Sequence, residues 1–506
     1  MLRHILTLPL VVILIGIGAA AMLVPGLHAA AGRDWVTARA FLQSGLLFLI
    51  LTMVLGLATA PYRPSRLARS RLLALLAAFA ALPVVLAVPF HQALPTTTFL
   101  NSYFEMVSSI TTTGATLYDD PSRLPPSLHL WRALVGWMGG FFMWVVAVAV
   151  FQPLNLGGFE VLSGAATGPG KELNQISRVA DPAERMARFS AGLFPVYLSL
   201  TLILWLGLKL TGDGALVAVI HAMSTLSTSG ITSLPFGVAE ANSGRSGEML
   251  VFLFLAFALS RRTFAGADQG GGIVQTFRDP EFRLGLLIIA AVPALLFVRH
   301  WIGAYEVRDE GNLLAAFGAL WGAVFSVASF LTTTGFVSAD WLAARNWSGL
   351  PTPGLILMGL AVFGGGVATA AGGVKLLRVY ALWKHGMREL EKLVEPHSVA
   401  GSGKLARHLR RQGAYIAWIF FMLFAMSIAV VMLALSLTGL SLDHAITFAI
   451  AALSTTGQVA GVAGPVPLSY AALGDGARMI LVASMVLGRV ETLALIALLN
   501  PEFWRR

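Results

Sequence analysis

The side chains in this sequence best placed to do chemistry are hydroxyls followed by a glycine, and they come four times. The first stretch is Ser109-Ile110-Thr111-Thr112-Thr113-Gly114-Ala115. It is followed by Ser227-Thr228-Ser229-Gly230-Ile231, Thr332-Thr333-Thr334-Gly335-Phe336 and Ser454-Thr455-Thr456-Gly457-Gln458. The four glycines are almost evenly spaced, and each turn closes a short apolar run, which marks a repeat. Irregular backbone at membrane depth survives only where protein buries it or where it lines water. Glycine lets the chain take a positive φ, so successive carbonyls can aim the same way. Four such turns about one axis would form rings of carbonyl oxygens that replace the water around a K⁺ ion. The helix before each turn would point its partly negative C-terminal end at the ion. The competing reading is four surface turns between helices, which the repetition of the flanking pattern disfavours.

Composition sets the surroundings of these turns. Hydrophobic residues make up 57% of the chain and charged residues 12%, with a mean hydropathy of +0.76. Several apolar runs reach the ~20 residues that span a bilayer. Cysteine is absent, so disulfide, zinc-thiolate and iron–sulfur sites are excluded. The net charge of +10 comes from bases clustered in loops rather than on a soluble face, so no nucleic-acid partner is expected. The apolar run from Ile5 to Leu27 is longer than the roughly 7–15 residues of a signal-peptide core. It reads as a retained helix, although Leu27-His28-Ala29-Ala30 has a cleavage-like form.

These elements fit an all-α polytopic membrane protein: two N-terminal transmembrane helices, then four pseudo-fourfold helix–pore helix–filter–helix repeats. The prefix is 1–61, with helices at 5–27 and 37–60. Repeat 1 is 62–160, with helix 72–90, a re-entrant half-helix from Thr97 to Ile110, and a return at 129–151. Repeat 2 is 161–275, with elements at 188–210, 215–227 and 248–265. Repeat 3 is 276–400, with 284–303, 312–331 and 353–380. Repeat 4 is 401–506, with 413–438, 443–453 and 477–499. Most of the 35 Lys and Arg fall in the loops this topology puts on one side. Four Arg and no acid lie between Tyr62 and Arg71. The bias makes that side cytoplasmic, with both termini inside. The most basic segment, 381–412, serves either as a topology signal with lipid contact or as a dock for a soluble partner. Asp119 and Asp120, just past the first turn, would concentrate cations at an outer mouth, or simply sit in a solvated loop.

Two further features lie within membrane-depth helices. Gly364-Gly365-Gly366-Val367-Ala368-Thr369-Ala370-Ala371-Gly372-Gly373-Val374-Lys375 carries five glycines, each worth roughly 1 kcal/mol against helix relative to Ala. It serves either close helix packing or a broken helix that obstructs a path beneath the turns. Arg489 sits well inside the last apolar run, where a charge faces a cavity or a partner. Glu491 is two positions on and does not share its helix face. Arg489 would repel cations and bond the glycine loop, or hold neighbouring carbonyls structurally. Gly401-Ser402-Gly403-Lys404 lacks the P-loop frame, and no H-E-x-x-H, dinucleotide fingerprint or regularly spaced Arg helix occurs. No enzyme chemistry is indicated.

Together the residues resemble the Trk/Ktr/HKT superfamily of cation transporters, most closely its bacterial TrkH/TrkG potassium-uptake branch. The resemblance rests on the four turns, Phe104-Glu105, Trp131-Arg132, Trp137-Met138-Gly139-Gly140, Thr369 to Lys375, Gly488-Arg489-Val490-Glu491 and the ending Pro501-Glu502-Phe503-Trp504. It spans essentially the whole chain. It implies a selectivity filter made by backbone carbonyls of Thr112, Thr113, Gly114, Thr228, Ser229, Gly230, Thr333, Thr334, Gly335, Thr455, Thr456 and Gly457. It implies a gate made by Gly364, Gly365, Gly366, Gly372, Gly373, Lys375 and Arg489. It further implies K⁺ as the transported ion with no cofactor, a homodimer with one pore per subunit, a TrkA-like cytosolic nucleotide-binding regulator, and the bacterial cytoplasmic (inner) membrane. Glycine in all four turns is similar to the potassium-selective branch; Na⁺/K⁺ permeability or coupling to Na⁺ or H⁺ is the alternative. Phe141-Phe142 and the stretch from Ser260 to Gly272 depart from the family pattern.

Overall fold

A computed structural model describes residues 8–59, 67–152, 158–159, 182–260, 276–304, 313–395 and 411–490. Among these residues the chain is helical and has no strand. Residues 62–66 of the Arg-rich loop, the Arg261–Gly272 segment, Glu491 and the Pro501–Trp504 ending lie outside the described residues.

Two long apolar helices come first, α1 (Leu10–Ala31) and α2 (Trp35–Thr59). Leu46, Met53 and Leu57 of α2 are exposed, an apolar outer face that belongs against lipid rather than water. A unit then follows of a long helix, a short helix, a turn and a return. It comprises α3 (Leu73–Ala93), α4 (Phe99–Ile110) and α5 (Pro126–Phe151). The second set is α6 (Pro182–Leu210), α7 (Ala215–Ser227) and α8 (Gly244–Leu255). The third is α9 (Pro280–Ala304), α10 (Leu313–Leu331), the small α11 (Trp341–Ser348), α12 (Gly354–Phe363) and α13 (Leu376–Val394). The fourth is α14 (Arg411–Ser436), α15 (Leu442–Leu453) and α16 (Asp475–Val490).

Among the described residues seven helices are long and apolar enough to cross a bilayer on their own, and the returns depart most from expectation. α8 ends at Leu255 and tightens into a 3₁₀ turn at Ala256–Ala258. The segment expected as one helix over 353–380 is two helices, α12 and α13, separated by a non-helical stretch. The break begins at Gly364, whose φ of 68° no helix can accommodate.

The packing closes on itself. Each short helix packs on the long helix before it and on its own return. In addition α5 packs on α7, α8 on α10, α12 on α15, and α16 on α4. Small residues let these backbones meet. A Cβ built on Gly139 would stand 2.0 Å from the Ile110 carbonyl oxygen, and one on Gly488 would stand 2.3 Å from that of Leu453. The returns therefore press on the C-terminal ends of α4 and α15, where the turns begin.

Candidate ion pathway

The four turns share one hydrogen-bond scheme. The second residue of each sends its N–H back three residues: Thr112 to Ser109 O at 2.9 Å, Thr228 to Thr225 O at 3.2 Å, Thr333 to Phe330 O at 3.1 Å and Thr455 to Ala452 O at 3.2 Å. The third residue reaches back five: Thr113 to Ser108 O at 2.8 Å, and Ser229, Thr334 and Thr456 to Ser224 O, Ser329 O and Ala451 O at 2.9 Å each. Thr112, Thr228, Thr333 and Thr455 all take left-handed φ values, between 53° and 57°. Gly114, Gly230 and Gly335 continue with positive φ, whereas Gly457 does not. The N–H groups are thus spent on the helix behind, and the carbonyls are turned the other way. In the first three turns the leading hydroxyl is also turned back: Thr111, Ser227 and Thr332 each donate to the carbonyl four residues earlier and pair with the hydroxyl two residues on.

The turns meet in a closed ring. A Cβ on Gly114 would lie 1.9 Å from Ser229 O, and one on Gly230 would lie 2.1 Å from Thr334 O. One on Gly335 would lie 2.5 Å from Gln458 Oε1. The Gly457 N–H donates to Thr113 O at 2.7 Å. Turn one touches two, two touches three, three touches four, and four returns to one. The four turns named from the sequence therefore come together in one ring, and a side chain on any of the first three glycines would collide with the next turn or with Gln458. The hydroxyls of Thr112, Thr228 and Thr455 are buried without a protein partner, although buried polar atoms ordinarily have one. Among the described residues no three His, Asp or Glu side chains gather as a metal site.

The glycine stretch after α12 lies against this ring. The Gly372 N–H donates to Thr333 Oγ1 at 2.8 Å. A Cβ on Gly372 would stand 2.2 Å from Thr455 Oγ1 and 2.3 Å from Ser454 O. Ala370 shares a crevice with Thr225 and Thr228. One loop thus reaches three of the four turns at their helix ends. Arg489 on α16 is 2% exposed and donates from Nη1 to Ala370 O at 2.5 Å. At the other end of the loop the Gly366 N–H bonds Ala258 O at 2.9 Å and the Val367 N–H bonds Glu281 Oε1 at 2.9 Å. Gly364 folds against Gly372, and Gly365 lies against Ala258 O. Gly373 takes a φ of 70°. Lys375 is buried and donates to Ala371 O within its own loop.

Comparison with known proteins places the chain in a family. The family described as TrkH, cation transport protein, matches residues 37–243 and 282–505. This chain belongs to the TrkH family. It is 29% identical to the Trk system potassium uptake protein TrkH of Salmonella typhimurium over 485 residues, covering 96% of each. It is also 29% identical to the Trk system potassium uptake protein TrkI of Halomonas elongata, over 85% of this chain and 82% of that one. The crystal structure of the potassium transporter TrkH from Vibrio parahaemolyticus superposes with a TM-score of 0.78 at 26% identity, covering all of both chains.

In this TrkH-family chain the ring is braced by buried carboxylates. Glu105, in α4, accepts from the Leu117 N–H at 2.6 Å and from Thr116 Oγ1 at 3.0 Å, and pairs with Arg132 of α5 at 2.8 Å. It fixes the stretch that follows turn one. Glu248, in α8, does the same work for turn three from a neighbouring unit. It accepts from the Ala339 N–H and Ser338 Oγ at 2.7 Å each and from Trp321 Nε1 at 2.8 Å. Sequence reasoning picked out Glu105 and Arg132 but missed Glu248. Its signal was an acid heading the apolar run Met249 to Leu255. Gln458 was also missed; it directly follows the fourth turn and reaches into the ring. Outside the ring, Asp119 accepts from Ser469 Oγ at 2.5 Å, which ties the loop of the first unit to that of the fourth. Asp120 is exposed, and hydrogen bonds from the Ser122 hydroxyl and N–H hold its carboxyl below the usual carboxylate range.

Proposed function

We propose that this chain carries K⁺ inward across the bacterial cytoplasmic membrane through the ring of turns, with backbone carbonyls of Thr112–Gly114, Thr228–Gly230, Thr333–Gly335 and Thr455–Gly457 as the selectivity filter. The observation that carries the reading is the closed ring of four turns in which the N–H groups of the second and third residues are all spent backwards. Such an arrangement leaves oxygens, and no donors from those positions, to face a cation. Relatives named as potassium uptake proteins support K⁺ as the ion. The loop from Gly364 to Gly373 together with Arg489 forms the gate: it lies across the helix ends of the turns and is held there by a cationic side chain. The division into a prefix, 1–61, and repeats at 62–160, 161–275, 276–400 and 401–506 follows the order of helices. The chain works as a homodimer, with both termini cytoplasmic and a TrkA-like nucleotide-binding regulator on that side.

The test is rubidium uptake by a bacterium deficient in K⁺ uptake and expressing this chain, with and without a TrkA-like partner. Uptake above the empty-vector level, competed by K⁺ and not by Na⁺, is expected. Uptake competed equally by Na⁺ would remove K⁺ selectivity, and no uptake in either strain would overturn the reading.

A further inference from the structure

Gln458 places a side-chain amide in the middle of the ring. Its backbone belongs to the end of turn four. Its Nε2 donates to Ser229 O of turn two at 3.1 Å and to Gly114 O of turn one at 3.4 Å. A Cβ on Gly114 or on Gly230 would come within 2.4 Å of that nitrogen, and one on Gly335 within 2.5 Å of Oε1. The amide is therefore encircled by the first three turns and anchored in the fourth. Gly114 is the last carbonyl of its turn and Ser229 the last but one of its own, so Nε2 lies between the two carbonyl layers farthest from the helix ends. An amide nitrogen has two N–H donors and no accepting lone pair in play, so its hydrogens meet those oxygens as a partial positive charge would. Oε1 is buried without a hydrogen-bond partner, and the residue as a whole is only partly buried. The group is thus neither fully satisfied in the ring nor sealed into it.

We propose that Gln458 sets the affinity and specificity of the pathway: its uncharged amide occupies the outermost carbonyl position as a tethered competitor that an entering cation displaces. This rests on reading the ring as the cation path. A cation attracts the same carbonyls more strongly than a neutral donor does, so the amide yields to an ion that can shed its water and holds against one that cannot. A competitor in place nine-tenths of the time weakens the apparent affinity about tenfold.

The test uses the purified full-length chain in liposomes and reads the external Rb⁺ concentration that gives half-maximal uptake. Gln458→Ala removes the amide. Gln458→Glu keeps its shape but replaces the donor with a carboxylate, which serves if the smaller residue perturbs the ring. Both are expected to lower half-saturation, by about 3–10-fold. Half-saturation within twofold of wild type in both would overturn the proposal. Gly335→Ser is run beside them. A changed Rb⁺/Na⁺ ratio in that variant with unchanged half-saturation at 458 removes only the competitor, whereas an unchanged ratio removes the ring as the path. In the unaltered protein, cryo-EM maps in K⁺ and in a large organic cation give a second readout. The amide is expected to have left Ser229 and Gly114 in K⁺; an amide still bonded there in saturating K⁺ would overturn the proposal.

Discussion

At the scale of single residues, the unusual observation is a threonine at left-handed φ in the same place four times. A β-branched residue resists that conformation, at about 1–3 kcal/mol for each occurrence. Four equal distortions point to one shared requirement, namely to turn the carbonyls of each turn toward the axis. The glycine two positions on completes the turn in three cases, with φ of 71°, 60° and 81° at Gly114, Gly230 and Gly335. Gly335→Ser therefore sets a Cβ both in a strained backbone and against Gln458. We expect the K⁺ over Na⁺ flux ratio in liposomes to fall about tenfold, the equivalent of roughly 1.4 kcal/mol. An unchanged ratio would mean that no ion meets the Gly335 carbonyl. A second residue-scale prediction concerns the brace. Arg132→Ala leaves the Glu105 carboxylate buried and short of its charge partner, a change that costs about 3–5 kcal/mol in comparable sites. The melting temperature in detergent is expected to drop, and Arg132→Lys to restore part of it. A melting temperature equal to wild type would show that the Leu117 and Thr116 donors suffice to hold Glu105.

At the scale of elements, the loop between α12 and α13 joins the ring of turns to α16. Its hold on the ring comes through Gly372 and Thr333, and its hold on α16 through Ala370 and Arg489. Gly372→Ala would bring a methyl group to 2.2 Å from Thr455 Oγ1, so the loop must withdraw from the ring. Arg489→Ala removes the opposite tether. Both variants are expected to raise Rb⁺ flux severalfold without the regulator. Flux equal to or below wild type in both would remove the barrier role of the loop. The short helices and turns were legible because a Thr/Ser-Thr/Ser-Gly end on a short apolar run is a local signal repeated four times. The break after Gly364 was legible from its glycines, yet 353–380 still read as one return, because apolar composition continues through the break and hydropathy does not register φ. Glu248 and Gln458 escaped for a different reason. Each acts on a unit other than its own, across 91 residues for Glu248 and Ala339 and 344 residues for Gln458 and Gly114. No local window joins residues so far apart.

At the scale of the whole molecule, the cyclic packing of each return on the next short helix joins the four units into one ring. The end of each turn is set by a neighbour, and α16 on α4 closes the circle. On the proposed reading the membrane potential is the driving force, at about 2.3 kcal/mol per charge for each 100 mV. In liposomes holding an inside-negative diffusion potential of ~100 mV, that energy corresponds to roughly 50-fold accumulation of Rb⁺ at equilibrium. The accumulation ratio is expected to follow the imposed potential with one charge per ion and to vanish when an ionophore collapses it. An opposing proton or Na⁺ gradient should leave the ratio unchanged if K⁺ moves alone. Accumulation beyond the electrical limit, abolished by removing one of those gradients, would instead show that a second ion crosses with each K⁺ and that the ring serves a coupled transporter.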